Sequence, residues 1–382
     1  MHARGPGARL PSAACLVAAL AWGACTSERQ PVVIGLAWPE QPEHTRRVAQ
    51  ALIDSTAPPG ERPILVRSFD AESASPSTAL ENSVQVALRM ADWPGLVAVV
   101  GFPSSTETLL AAPIFAEAGV PLLVPTATTR RLADAGGLVF PLAPNDSIEG
   151  EFIATFAVER LSARSATLFY TVDDYGTGLA AGVGDALQRR GVIVLDRVPV
   201  RLDHNCPPFQ DDNPYRVQVE ASFLRGVPDV VVVAGRVWET GCIARAVTDL
   251  AAATPVIGGD GASAPDSLLV QAAGPAVDHL YAVEFWTRGA ERNGSGAFVE
   301  RFRRVADRDP EPGDAMVHDA IMLAAAAVRG GRATPGAVHG YLRSLGRARG
   351  PYPGITGAIS FVADARRPLH MRRLRPPAEE GG

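Results

Sequence analysis

The stretch that decides the fold class is LVAVVG at residues 96–101, followed at once by FPSST at residues 102–106. Six apolar residues in a row predict a strand that is covered on both faces, as in a parallel sheet. Similar runs, such as those at 121–124 and 229–234, alternate with helix-length segments along the chain. Strands that alternate with helices predict βαβ units, so we expect an α/β fold with parallel sheets.

The same pattern restarts after Pro144, which predicts a second α/β unit of similar size. A chain of 382 residues is long enough for two ordinary domains, and its 47% hydrophobic content is enough for sizeable cores. The pattern predicts a late strand at 359–361. The longer helices are predicted at 43–55, 77–91, 106–118, 147–161, 178–190, 241–252, 296–306 and 315–329, and a shorter helix at 335–345.

Composition excludes several classes of protein. The chain contains no lysine, so all 36 basic residues are arginine. A phosphate-binding loop that ends in Gly-Lys-Ser/Thr and a Schiff-base lysine for pyridoxal phosphate are therefore impossible. The net charge is −5, and the arginines alternate with acids instead of forming the basic stripe of a nucleic-acid-binding protein. We expect neither a cofactor nor a nucleic-acid partner.

The first 25 residues have the order of a secretory signal, with basic residues, an apolar run at 13–24 and then a polar stretch. Gly23 and Ala24 before Cys25 resemble a bacterial lipobox, in which the cysteine is acylated and becomes the new N-terminus. Trp22 departs from the aliphatic residue usual at its position, so an ordinary cleaved signal stays open. We expect an exported protein, periplasmic or on the cell surface, that touches the membrane only through lipid on Cys25.

Export also determines how the cysteines are interpreted. Cys15 leaves with the signal, which leaves Cys206 and Cys242 as an even pair in an oxidising compartment. The pair predicts a disulfide, and two separate buried thiols are the alternative. No Cys-x-x-Cys or His-x-x-x-His spacing occurs in the sequence, so we expect no metal site.

Polar residues cluster directly after the predicted strands, where open α/β sheets bind their ligands. Ser104, Ser105, Thr126 and Thr128 follow two of these strands, and Asp260 follows a third. Hydroxyl groups and free amides at the start of a helix suit a carboxylate, whereas an acid such as Asp260 suits an ammonium group.

These polar residues have simpler interpretations as well. Serine before a helix is commonly an N-cap, which is an equally good interpretation of Ser104 and Ser105. Asp146 is expected to cap the helix at 147–161 and not to face a ligand.

Taken in order, the segments resemble type I periplasmic binding proteins, in particular the leucine/isoleucine/valine-binding branch that serves ABC importers. The resemblance covers about residues 31–375 and implies two doubly wound parallel-sheet lobes joined by three crossovers. It is carried by VAVVG at 97–101 with the serines that follow, GVP at 119–121, PTAT at 125–128, DSIEG at 146–150, YTVDDYGTG at 170–178, GCIAR at 241–245, GDG at 259–261 and GITGAISF at 354–361.

The resemblance also implies domain boundaries, with ligand closing the cleft between the lobes. The crossovers fall near Pro144, Ala282 and Tyr352, and a disordered tail is expected at 376–382. The lobe boundaries that follow are 31–144 plus 283–352 for the first lobe and 145–282 plus 353–375 for the second.

Residue by residue, the resemblance implies a site for an amino acid. Ser105 and Thr128 match positions that hold the ligand's carboxylate and ammonium, and Thr126 matches one that does so through its backbone. Tyr175 matches a contact in the second lobe, and Asp260 matches the acid that pairs with the ammonium.

Two residues concern the ligand's side chain. Trp38 lies in the loop that usually walls the side-chain pocket, whereas Arg236 stands where the family often has an aromatic residue. Arg236 is either a ligand contact, whose planar guanidinium suits a second carboxylate, or a partner of Glu239 that faces solvent. The sequence leaves both interpretations open.

Together these observations predict a solute-binding protein that captures an amino acid or a close analogue and delivers it to an ABC permease in the inner membrane. The second hypothesis is a ligand-sensing component of the same fold, which would need a membrane partner. A hydrolase is the third: no Gly-x-Ser-x-Gly elbow occurs, and the seven histidines show no acid–base spacing, so we expect no enzymatic activity.

Overall fold

The computed structural model describes residues 2, 30–38, 42–69, 76–202, 213–251, 253–263, 266–289, 294–362 and 367–374. Three features predicted from the sequence lie outside these ranges: the signal with Cys25, the half-cystine Cys206 and the tail at 376–382. Among the described residues, none of the helices combines the length and the apolar character that crossing a membrane requires.

Two sheets form the framework of the molecule. The first sheet contains β1 (Val32–Ala37), β2 (Ile64–Phe69), β3 (Leu96–Gly101), β4 (Leu122–Val124) and β5 (Val139–Pro141). Its order is β2-β1-β3-β4-β5, and all neighbouring strands are parallel. Every residue of β1 and β3 is buried, as the continuous apolar runs predict.

The second sheet contains β6 (Ser165–Thr171), β7 (Ile193–Val200), β8 (Val230–Ala234), β9 (Val256–Gly258), β10 (Leu280–Glu284) and β13 (His370–Arg373). Its order is β13-β10-β9-β8-β6-β7, with only the edge strand β13 antiparallel to its neighbour. A small antiparallel ribbon is formed by β11 (Tyr352–Gly354) and β12 (Gly357–Ile359). The predicted α/β class with parallel sheets is confirmed.

Helices cover both faces of each sheet. The helices are α1 (Pro42–Ser55), α2 (Pro76–Ala91), α3 (Ser105–Glu117), α4 (Asp146–Glu159), α5 (Asp174–Arg189), α6 (Arg216–Phe223), α7 (Val237–Leu250), α8 (Asp266–Ala273), α9 (Ser295–Ala306), α10 (Pro312–Arg329) and α11 (Pro335–Ser344). The first sheet packs between α2 and α3 on one face and α1, α10 and α11 on the other. The second sheet packs between α4 and α5 on one face and α6, α7 and α8 on the other.

The chain passes from one sheet to the other at three places. It leaves the first sheet after β5, returns after β10, and enters the second sheet again at β13. Tyr352 and Ile359 still pack in the core of the first sheet, so the last passage lies between residues 359 and 370, beyond the position predicted near Tyr352. The predicted division of the residues into two lobes stays a prediction.

The cap of α4 and the starts of α5 and α7 differ from the sequence-based expectation. Asn145 caps α4, since its side chain accepts the N–H groups of Ser147 and Ile148 at 3.0 and 3.2 Å. The expectation that Asp146 caps this helix is therefore wrong. The carboxylate of Asp173 caps α5, which begins four residues earlier than predicted, and α7 likewise begins at residue 237 and not at 241.

Candidate functional site

A cleft of about 220 Å³ lies between the carboxyl ends of the strands of the two sheets. Loops that follow β1, β3 and β4 line it from the first sheet, and loops that follow β6, β8, β9 and β10 line it from the second. This is the edge at which open α/β sheets bind ligands. The lining residues are Trp38, Pro103, Ser104, Ser105, Thr126, Ala127, Tyr175, Arg236, Asp260, Gly261, Ser263, Phe285, Pro312 and Gly313.

The start of α3 forms one wall of the cleft. Gly101 ends β3 with a φ of 146°, and a Cβ there would lie 2.4 Å from the carbonyl oxygen of Ala37, so the turn into α3 requires glycine. Ser104 is the N-cap, and its hydroxyl donates to the carboxylate of Glu107 at 2.7 Å. The N–H of Glu107 donates to the hydroxyl of Ser104 at 3.3 Å, so helix geometry leaves the N–H groups of Ser105 and Thr106 as the donors suited to an anion.

The two threonines predicted as ligand contacts lie in different surroundings. Thr126 lines the cleft, and its hydroxyl donates to the carbonyl oxygen of Pro103 at 2.9 Å, which joins the loops after β3 and β4. Thr128 is buried and is not among the lining residues; its carbonyl oxygen accepts the N–H of Asp146 at 2.9 Å. Thr128 therefore belongs to the contact between the two sheets, behind the cleft.

Asp260 and Tyr175 form the opposite wall. The hydroxyl of Tyr175 accepts the N–H of Gly261 at 2.8 Å, and the N–H of Asp260 donates to Oε1 of Glu149 at 2.8 Å. Oδ1 of Asp260 is shielded from solvent and finds no hydrogen-bond partner among the described residues. Burial raises the pKa of Asp260 to about 6.

Glu149 lies directly behind Asp260 and is fully buried. The contact between the two acids runs through the backbone of Asp260, whose N–H donates to Oε1 of Glu149, so the two carboxyl groups lie close together in a buried place. Burial and the charge of Asp260 raise the pKa of Glu149 well above its usual value. Burial thus favours the neutral form of Glu149 more than that of Asp260, whose side chain lines the cleft.

A third acid, Asp146, lies on α4 one turn from Glu149. It is fully buried beneath the first turn of α5, where a Cβ on Gly178 would lie 2.2 Å from Oδ2 of Asp146. Burial raises the pKa of Asp146 to about 7. The region behind the cleft thus concentrates carboxyl groups that resist ionisation.

Arg236 lines the cleft, and its guanidinium does not pair with Glu239. Nη2 of Arg236 lies 2.8 Å from Oδ2 of Asp173, while only the backbone N–H of Arg236 donates to Glu239, at 3.0 Å. The interpretation of Arg236 as a solvent-facing partner of Glu239 is therefore wrong. Nη1 of Arg236 is buried and lacks a hydrogen-bond partner within the part of the chain that the structure describes.

A comparison with protein families finds a match that covers most of the chain. A family model described as periplasmic binding protein matches residues 46–374, with the cleft just described lying between its two sheets. This chain belongs to the periplasmic binding protein family. The resemblance drawn from the sequence motifs is thereby confirmed.

Sequence relatives and solved structures are similar to this periplasmic binding protein at modest identity. An amino acid binding protein of Pseudomonas aeruginosa is 30% identical over 181 residues, which cover 44% of this chain and 47% of the relative, so the chain spans about half the length of that curated relative. A branched-chain amino acid transporter substrate-binding protein of Streptococcus pneumoniae, solved with isoleucine, is 22% identical with a TM-score of 0.75, covering 90% of this chain and 95% of the other. A solute-binding protein of an ABC transporter of R. palustris, solved with benzoate, is 16% identical with a TM-score of 0.72, covering 90% and 93%.

Seven of the eight predicted ligand contacts of this periplasmic binding protein line the single cleft described above, and Thr128 does not. That these residues touch a ligand stays a prediction. Sequence reasoning missed Ser263, Phe285 and the pair Pro312 and Gly313. Phe285 directly follows β10 and could have been found as another strand end, whereas the start of α10 reaches the cleft only through the tertiary fold.

The remaining predictions concern cysteines and metals. Cys242 is fully buried on α7 and is disulfide-bonded. Its predicted partner, Cys206, lies outside the described residues, so the pairing stays a prediction. Within the described ranges, no group of three or more His, Cys, Asp or Glu side chains is arranged to hold a metal ion.

Proposed function

We propose that this protein captures a small zwitterionic solute, an amino acid or close analogue, in the cleft and delivers it to an ABC permease. The observation that carries the proposal is the complementarity of the two walls. The start of α3 lines the cleft, where helix N–H groups suit a carboxylate, and Asp260 lines it as well, with Oδ1 lacking a donor among the described residues. An amino acid satisfies both walls with one molecule.

A thermal-shift screen with matched ligands tests this proposal. Each amino acid is compared with the amine that lacks its carboxylate and with the acid that lacks its amine, and benzoate is included because a solved relative binds it. Bound ligand raises stability with the logarithm of its concentration over its Kd. We expect at least one amino acid to raise Tm well beyond both of its truncated analogues. If the acid that lacks the amine raises Tm as much as the amino acid does, the role of Asp260 is contradicted.

The proposal extends to delivery and location. The name of the isoleucine-bound relative includes a transporter, and the family description is periplasmic, which support export and an ABC permease as the partner of this protein. We propose further that lipid on Cys25 tethers the protein to the membrane, because small residues precede this cysteine and a polar stretch follows it. Mass spectrometry of the N-terminal peptide from native protein should show an acylated Cys25, and an unmodified N-terminus at another residue would refute the anchor.

A further inference from the structure

Arg236 is held in the cleft by a rigid anchor. Oδ2 of Asp173 lies 2.8 Å from Nη2 of Arg236, while Oδ1 of the same carboxylate accepts the N–H of Gly176 at 2.8 Å and the hydroxyl proton of Thr171 at 2.9 Å. Asp173 is thus fixed by the start of α5 and by the end of β6. The guanidinium that it holds is oriented before any ligand arrives.

Asp173 pairs with Nη2 of this guanidinium and leaves the second terminal nitrogen, Nη1, for another acceptor. Nη1 of Arg236 is shielded from solvent, and no described residue accepts a hydrogen bond from it. A buried donor without an acceptor is costly, and for a charged group the cost is larger than for a neutral one. Because Arg236 lines the cleft, a small movement of its side chain on ligand binding would bring Nη1 to an acceptor on the ligand.

The other unsatisfied groups on this wall of the cleft do not supply the acceptor that Nη1 of Arg236 lacks. Oδ1 of Asp260 and Oγ of Ser263 also line the cleft and also lack partners among the described side chains and backbone. Nη1 of Arg236 and Oδ1 of Asp260 do not satisfy each other, so Arg236 does not serve only to neutralise Asp260. Within the described residues, the wall therefore contains a cationic donor, an anionic acceptor and a hydroxyl that all lack partners.

We propose that the ligand carries a second anionic group on its side chain and that Nη1 of Arg236 binds it. This inference rests on the proposed function, since it assigns the ligand's ammonium to Asp260 and its first carboxylate to the start of α3. The chemical class is then an acidic amino acid. A guanidinium whose other amino group is already paired gives a carboxylate a fixed, charge-assisted hydrogen bond and discriminates against an uncharged amide.

Calorimetry with two isosteric ligand pairs tests the inference: L-glutamate against L-glutamine, and L-aspartate against L-asparagine. For the wild-type protein we expect one acid to bind at least tenfold more tightly than its amide. For Arg236→Met this ratio should fall to about one or invert, because the charge of Asp173 is then uncovered, while the affinity for the amide changes less than threefold. Arg347→Met removes an exposed arginine outside the cleft and should leave the ratio unchanged.

Each other outcome has a defined meaning. If wild-type protein binds the amide as tightly as the acid, or if Arg236→Met weakens both equally, this inference is overturned while amino acid capture stands. If no amino acid binds at all, the proposed function fails together with the inference. Should Arg236→Met not fold, as judged by its thermal unfolding without ligand, Arg236→Lys decides. It keeps the charge but not the guanidinium fork, so the preference for the acid should be reduced while amide binding is intact. An Arg236→Lys variant that keeps the full wild-type preference, or that loses affinity for acid and amide equally, would overturn the inference.

Discussion

At the scale of single residues, the buried carboxyl groups behind the cleft make stability depend on pH. Asp146 has a usual pKa of 3.8 and a folded-state pKa of about 7 because of burial. Between these values the folded protein holds a proton that the unfolded chain has released. Stability must therefore fall as pH rises through this window, by about 1.4 kcal/mol for each pH unit at most.

The prediction is that Asp146→Asn flattens this dependence. Urea unfolding of unliganded wild-type protein at pH 5 and pH 7 should show lower stability at pH 7, and Asp146→Asn should lose roughly 2 kcal/mol of that difference. Asp185→Asn, which changes an exposed acid on α5, serves as the control and should keep the wild-type slope. A wild-type slope in Asp146→Asn would show that Asp146 is ionised in the folded protein.

Which residues reach the cleft could be predicted where they follow a strand along the chain. Ser105, Thr126 and Asp260 come directly after apolar runs, and parallel strands bring their carboxyl ends to one edge. The pairing of Arg236 with Asp173 could not be predicted, because 63 residues separate them and only the order of β6 and β8 makes them neighbours. Glu239, three residues away, was the nearer acid in sequence and the wrong one.

At the scale of elements, α4 and α5 pack so closely that side chains are excluded between them. A Cβ on Gly150 of α4 would lie 2.5 Å from backbone atoms of Gly182 on α5. These two helices carry Glu149 and Tyr175, so their separation fixes the wall behind Asp260. The contact is a property of the pair and is invisible in the periodicity of either helix alone.

We expect Gly150→Ala to destabilise the protein by about 1 to 3 kcal/mol, the usual cost of overpacking a core. The matched control is Gly340→Ala on α11, where a Cβ would meet nothing within 4 Å. That change should be neutral or stabilise by about 0.5 to 1 kcal/mol, since alanine is the better helix former. Chemical unfolding measures both, and equal effects of the two changes would contradict the close packing of α4 on α5.

Elements with long apolar runs were predictable, and short edge elements were not. The strand at 96–101 was placed without error, whereas β5, β13 and the ribbon of β11 were missed. These strands have three or four residues, and only half of the side chains of β11 and β12 are buried, so hydrophobicity carries little signal for them. They are specified by the strands beside them.

At the scale of the whole molecule, contacts at the rim of the cleft connect the part of the molecule built on the first sheet to the part built on the second. Arg131 forms an ion pair with Asp174 at the start of α5, and the N–H of Asp174 donates to the hydroxyl of Thr106 on α3 at 3.3 Å. Arg131 is 69% exposed, so solvent screens its charge. A screened pair of this kind contributes up to about 1 kcal/mol.

Arg131→Ala should therefore weaken ligand binding no more than about fivefold and leave the order of ligand preference unchanged. The loss should shrink at high salt, because screening already weakens the pair in the wild-type protein. Arg189→Ala removes a comparable exposed pair, with Glu151, away from the rim and should not change affinity. Calorimetry at low and high salt measures both variants, and a salt-independent loss for Arg131→Ala would contradict the electrostatic contact.

The central claim is that Asp260 pairs with the ammonium of a ligand held between the two walls. Calorimetric titration of Asp260→Asn with the tightest amino acid from the thermal-shift screen tests it most directly, with Asp185→Asn as the matched control on an exposed surface. The account predicts a loss of about 3 to 5 kcal/mol in binding free energy for Asp260→Asn, because the buried ammonium loses its charged partner, and wild-type affinity for the control. An Asp260→Asn variant that binds this ligand as tightly as the wild-type protein would contradict the account.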